Sequence, residues 1–257
     1  MSDTPGMLSE ARDGAIAILI LDQPARRNAL AVAMREALVA AMERIETDPT
    51  VRAIVLTGAG DNFSAGGDIS DMHATDVAAG RQRFRVTQRV VRSFIGSAKP
   101  VVAAVEGWCV GAGLGMALCC DTIVAAAGAR FMAGFGKIGL IPDFGLLHTL
   151  PRRVGEGRAR QIFLHAEPMD AGTAHGIGLI DRVVADGAAL ATATALAASL
   201  AETAPLPMAL TKSWFGQGLD DALEWERNIQ SALFTTADHA EGKAAFLAKR
   251  APRFSGR

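Results

Sequence analysis

A chain of 257 residues, 50% apolar and 21% charged, can bury a large core and suits one globular domain with at most a helical extension. Its formal net charge of −1 argues against nucleic acid as the main partner, because phosphate-backbone binding needs a basic stripe. No apolar run reaches the roughly 18 residues of a membrane span and Met1–Gly6 carries no basic-then-apolar leader, so a cytoplasmic protein without a membrane partner is expected.

Ile16–Leu21 is a continuous β-branched and aliphatic run, the pattern of a strand buried on both faces, and Ala11–Gly14 before it reads as the turn of a hairpin. From Ala31 to Glu46, Met34, Leu38, Met42 and Ile45 recur at three to four residues, which predicts an amphipathic helix stopped by Thr47-Asp48-Pro49. Strand and helix signals then alternate: a strand at Val51–Thr57, a helix within Arg83–Ile95, a strand at Pro100–Val105, a helix at Gly113–Cys120 and a strand at Thr122–Ala126. Alternation of this kind predicts an α/β architecture with crossover helices. Beyond Pro142 the pattern is helical, with helices near Leu146–Val154, Gly157–His165, Ala171–His175, Ala188–Glu202, Pro207–Gln217, Asp220–Thr235 and His239–Lys249.

Two glycine-rich turns, each after a predicted strand, carry the chemistry. Phe63-Ser-Ala-Gly-Gly-Asp-Ile69 follows the first crossover strand, and Gly111-Ala-Gly113 follows Pro100–Val105 and opens a helix. Gly111 and Gly113 allow backbone angles that other residues avoid, and Ala112 between them has an unpaired N–H on the positive end of the helix dipole. Close helix–strand packing also needs small residues at such places. With two such turns, however, N–H groups near Gly67 and Ala112 can point at one oxygen atom, the geometry of an oxyanion hole.

Together with Gln23-Pro-Ala-Arg-Arg-Asn-Ala-Leu30 before them and Ile138-Gly-Leu-Ile-Pro-Asp143 after them, these loops resemble the crotonase (enoyl-CoA hydratase/isomerase) superfamily from about Leu8 to Arg257. The resemblance implies a ClpP/crotonase spiral of ββα units over residues 1–204 and a helical oligomerisation region over 205–257, giving a homotrimer or a dimer of trimers. It also implies an acyl-CoA thioester as the substrate, with no separate cofactor and no metal. The thioester oxygen would be held by Gly67 and Ala112. Coenzyme A would lie against Arg27, Asn28, Ala29 and Leu30 and against the loop Ala65, Gly66, Asp68 and Ile69.

Family hydratases carry two glutamates, whose positions fall here at Gly115 and Phe135, so ordinary water addition is not expected. Asp143 is the one carboxylate left in a suitable place, and the family implies an acid–base or nucleophilic role for it; capping the helix that follows is the competing structural role. Trp108, Gly115, Phe135 and Phe144 are expected to shape the acyl pocket. Glu106, beside the oxyanion turn, is expected to brace that loop, and Asp68 and Asp121 also read as structural. The expected reaction is double-bond isomerisation. Enoyl-CoA hydratase-like chemistry, hydrolysis or displacement through Asp143, and binding of an acyl-CoA without catalysis are the alternatives.

Other signals carry less. Gly134-Phe-Gly136-Lys-Ile-Gly139 matches a dinucleotide-binding spacing, but Pro142 follows where a helix should continue. The histidines His73, His148, His165, His175 and His239 share no ligand spacing, and only His148 falls near a site loop. Cys109, Cys119 and Cys120 suggest core packing rather than a disulfide framework or a metal site. Trp214 and Trp225 suit packing of the tail. Met208, Leu210, Leu223, Ile229, Leu233 and Phe246 give the last helices an apolar face expected to pack on neighbouring subunits.

Overall fold

The computed structural model describes residues 7–72 and 76–257; His73 lies outside them. The chain runs β1 (Leu8–Asp13), β2 (Ile16–Leu21), α1 (Val32–Thr47), β3 (Ala53–Gly58), α2 (Val77–Ile95), β4 (Val101–Val105), β5 (Trp108–Val110), α3 (Ala112–Leu118), β6 (Thr122–Ala126), β7 (Arg130–Met132), α4 (Leu146–Val154), α5 (Glu156–His165), β8 (Met169–Asp170), α6 (Ala171–Gly176), β9 (Arg182–Val184), α7 (Ala189–Ala201), α8 (Pro205–Phe215), α9 (Leu219–Leu233) and α10 (Ala237–Leu247). The expected hairpin is present, but its turn is at Gly14 and Ala15, because Ala11–Asp13 pair with Ile16–Ile18 inside the ladder.

A six-stranded sheet has the order β1-β2-β3-β4-β6-β9, parallel except for the β1–β2 hairpin, and a three-stranded sheet has the order β5-β7-β8. Successive units place one strand in the large sheet, one in the small sheet and then a helix: β4, β5, α3 and then β6, β7, α4. A bridge from Ser64 to Cys109 supplies the small-sheet member of the unit that begins with β3 and ends with α2. The α/β spiral of ββα units is therefore present.

Alternation along the central strands sorts side chains onto two faces. Ile54, Leu56, Val101, Ala103, Val105, Ile123 and Ala125 join the main core beneath α1, α2 and α3. Ala53, Val55, Val102, Ala104 and Val124 meet Ala189, Ala193 and Ala197 of α7 on the other face. Alanines every fourth residue let that helix lie close to the sheet. The last helices divide in role. Leu219 and Leu223 of α9 and the following Phe234 enter the main core, so the core does not end at residue 204. The α8 side chains Leu206, Leu210, Trp214 and Phe215 remain about 70% exposed. Among the described residues no single helix is long and apolar enough to cross a membrane.

Candidate active site

The two glycine turns meet. Gly66 adopts φ +97°, and a side chain there would come within 2.7 Å of the Val110 carbonyl, so only glycine fits this crossing. Gly111 takes φ +53° immediately before α3. Gly113, by contrast, is helical, and its missing Cβ makes room for Ser64. The flanking amides are occupied: Gly66 N–H donates to Ser64 Oγ at 3.2 Å and Gly111 N–H to the Met132 carbonyl at 2.8 Å. Those of Gly67 and Ala112 have no acceptor among the described residues, and both residues line one cavity of about 120 Å³. Two unpaired donors at the mouths of adjacent loops can stabilise a developing oxyanion.

Ile69, Met72, Phe135, Ile138, Leu140 and Phe246 supply apolar walls, and Arg35, Lys137 and Asp143 supply charge. Asp143 is half-buried; its Oδ2 accepts from Gln230 Nε2 at 3.0 Å, while its Oδ1 is shut off from solvent with no partner among the described residues. Burial raises its pKa against the opposing pull of the Gln230 hydrogen bond and the Arg35 charge. Its carboxylate does not cap α4. That task falls to Glu226 on α9, whose two oxygens accept from the Gly145 N–H at 3.0 Å and the Leu147 N–H at 3.2 Å. Burial and the nearby Asp143 charge push Glu226 up to about 8, against those two bonds. Between Asp143 and α4 the chain passes through Phe144 and Gly145, both with positive φ, a strained turn that aims the Asp143 side chain away from the helix it precedes.

Several expected residues stand elsewhere. Trp108 is 37% exposed on β5 and does not line the cavity, because the β5 alternation turns Cys109 inward instead. Gly115 is buried beneath Phe144: a Cβ there would sit 2.6 Å from the Phe144 Cβ, so that position opens into packed core. Phe144 itself fills this space and carries the Arg35 guanidinium 5.4 Å above its ring, which puts it behind the pocket wall. Glu106 binds the N–H groups of Gly187 and Ala189 at the start of α7, away from the oxyanion loop. Asp121 accepts from the Val101 N–H and pairs with Lys212, so its structural reading fits. His148 faces α8, 3.5 Å from the Phe215 carbonyl.

The expected coenzyme segment is stitched to the oxyanion loop by Leu30 N–H to Gly66 O at 2.7 Å, Ala65 N–H to Arg27 O at 2.8 Å and Ser64 Oγ–H to Asn28 O at 2.8 Å. Asn28 has no free side-chain group, since Oδ1 accepts from the Gln23 N–H and Nδ2 donates to the Ala59 and Asn62 carbonyls. Leu30 and Ala29 are buried, and Asp68 is held by Arg26 at 2.7 Å and by Ser70. Arg27 is exposed, and Ala65, Gly66 and Ile69 line the cavity. Among the described residues no group of three acidic, histidine or cysteine side chains is arranged to hold a metal.

Arg35, Glu226 and Gln230 gave no motif. Their one signal is position: Glu226 and Gln230 are four apart, on the α9 face that also buries Leu223, where a polar pair interrupts the apolar stripe.

The enoyl-CoA hydratase/isomerase family matches residues 11–257. The chain is 37% identical to the 1,2-epoxyphenylacetyl-CoA isomerase of Escherichia coli K12 and 35% identical to its 2,3-dehydroadipyl-CoA hydratase, covering 98% of both chains in the first case and 96% of this chain and 98% of the relative in the second. A crystal structure of an enoyl-CoA hydratase from Mycobacterium avium subsp. paratuberculosis K-10 is similar with a TM-score of 0.88 and 32% identity, over 97% of this chain and 98% of that one.

Proposed function

The chain belongs to the enoyl-CoA hydratase/isomerase family, and from that premise we propose that it moves a double bond in an acyl-CoA, with Asp143 as the single acid–base group. The observation that carries the reading is the buried Asp143 oxygen without a partner, in the same cavity as the free Gly67 and Ala112 amides.

In this mechanism the two amides hold the thioester oxygen. Asp143 removes a proton from the carbon next to the thioester, the electron pair spreads through the oxygen and the adjacent double bond, and the same proton is returned two carbons further along. No water is added and no atom is lost. Burial suits the task, since a carboxylate that holds its proton more strongly than usual is the stronger base. A water-adding enzyme in this family is implied to need two glutamates. Neither Gly115 nor Phe135 provides one.

Asp143→Asn tests the reading. It keeps the size and the Gln230 contact but cannot accept a proton, so acyl-CoA binding persists while solvent-deuterium exchange next to the thioester and turnover fall by about 10²–10⁴. Exchange at the parental rate removes Asp143 from the chemistry, and no exchange in the parent favours a binder without catalysis. The unpaired oxygen also suits direct attack on the substrate; burst release of product and a trapped acyl-enzyme would identify that hydrolytic or displacement route.

The assembly proposed is a homotrimer or a dimer of trimers, supported by the exposed apolar face of α8. A light-scattering mass near the 26.8 kDa monomer would overturn it.

A further inference from the structure

Arg35 is a buried cation that its surroundings do not fully satisfy. It leaves α1 toward the cavity, where Nε donates to the Leu30 carbonyl at 2.9 Å and Nη1 to Thr87 Oγ1 at 2.7 Å. The guanidinium plane is fixed further by its stacking on Phe144. Nη2 has no acceptor among the described residues and lies on the oxyanion side, 3.7 Å from where a Cβ on Gly67 would stand. Among the described residues no ion pair joins it to Asp143, although both line the same cavity and the two charges act on each other through space. Burial and the neighbouring Arg83 charge lower its pKa to about 10, so it remains a cation at neutral pH.

A small, largely apolar cavity, lined also by the exposed Lys137, thus carries a donor on Arg35 and an acceptor on Asp143 without hydrogen-bond partners among the described residues. The Asp143 oxygen is buried without a hydrogen-bond partner, and the Arg35 charge reaches it only through space, so each group keeps a hydrogen-bonding position open to a ligand. A hydrocarbon acyl chain would leave the donor stranded. An acyl group with an oxygen of its own would pair with it. Arginine suits this better than lysine, because two anchored nitrogens hold a planar fork and leave the third at a defined point.

We infer that Arg35 is a specificity-determining residue whose Nη2 binds an oxygen on the acyl group, so that the site selects acyl-CoAs oxygenated close to the thioester over plain hydrocarbon ones. This rests on the acyl-CoA reading above and narrows its substrate class.

The test compares binding of 3-oxobutyryl-CoA and butyryl-CoA, of equal chain length, by calorimetry to the parent, Arg35→Met and Arg35→Lys. In the parent the oxo ester binds about 10- to 100-fold more tightly, the value of a hydrogen bond to a charged group. Arg35→Met removes that preference and leaves butyryl-CoA affinity within about twofold, whereas a residue that only braces the core would weaken both esters together. Arg35→Lys keeps part of the preference. Equal affinity of the parent for both esters overturns the assignment and leaves the acyl-CoA reading intact, even if Arg35→Met does not fold; a preference that survives in a folded Arg35→Met overturns it equally. If neither ester binds the parent, the acyl-CoA reading falls as well.

Discussion

The two halves of the site are built by different means. The proposed oxyanion half, Gly66–Gly67 with Gly111–Ala112, is made of backbone, and its free amides are placed by a positive φ at Gly66 and another at Gly111. The opposite wall is made of side chains: Asp143 before α4, Gln230 and Glu226 on α9, and Arg35 on α1. The first depends on a few adjacent residues and resists small changes of sequence elsewhere. The second depends on burial, which changes both the charge and the cost of every group it encloses. Asp143 and Glu226 show how the surroundings divide similar groups: Glu226 is buried with both oxygens on backbone N–H groups, whereas the half-buried Asp143 keeps one enclosed oxygen without a partner among the described residues.

The sharpest way to break the backbone half is Gly66→Val. Its Cβ would meet the Val110 carbonyl, so the loop must shift and the Gly67 N–H loses its aim; turnover should fall by about 10²–10³-fold in steady-state assays, with circular dichroism reporting a folded chain. A parental rate would show that the Gly67 donor is not used.

Gly115→Glu probes the boundary between the halves. With the Phe144 Cβ 2.6 Å from the new Cβ, overpacking should cost about 1–3 kcal/mol in urea unfolding, and crotonyl-CoA hydration should not appear. Hydration in the ordinary range of about 1–10³ per second would mean that the side chain reaches the cavity after all.

Glu226→Gln tests the side-chain half. Folded Glu226 keeps its proton up to about pH 8, against an ordinary value of 4.5, so the folded chain holds the extra proton between those values and its stability declines as pH rises through them. The variant should lose about 1 kcal/mol at low pH through one weakened α4 cap and show a flatter decline of the melting temperature between pH 4.5 and 8. An unchanged slope would mean that Glu226 is already ionised throughout. The smallest effect belongs to Trp108→Ala: outside the cavity, it should alter acyl-CoA affinity and stability by less than about 0.5 kcal/mol, and a tenfold loss of affinity would return it to the pocket.

Much of the frame was legible because it is local. The runs at Ile16–Leu21 and Thr122–Ala126 became strands and Leu146–Val154 a helix at the expected bounds, since period and β-branching act over a few residues. The short strands β5, β7, β8 and β9, of two or three residues each, had too little pattern to be seen. Site residues divided the same way. Gly67 and Ala112 could be found from their turns, and Asp143 from its motif, but Trp108 and Gly115 could not be excluded without knowing which way β5 faces and that Phe144 folds back over α3.

The sequence by itself determined the α/β class, the two glycine turns and the absence of a carboxylate at positions 115 and 135, because these follow from residue identity and short-range geometry. Only the tertiary structure decided which acid caps α4, that Asp143 keeps a bare oxygen, and that Arg35 enters the same cavity with a donor to spare. Those outcomes depend on segments up to 195 residues apart, from Arg35 to Gln230, coming together out of water, where an unpaired charge acquires an energy that no local pattern in the chain records.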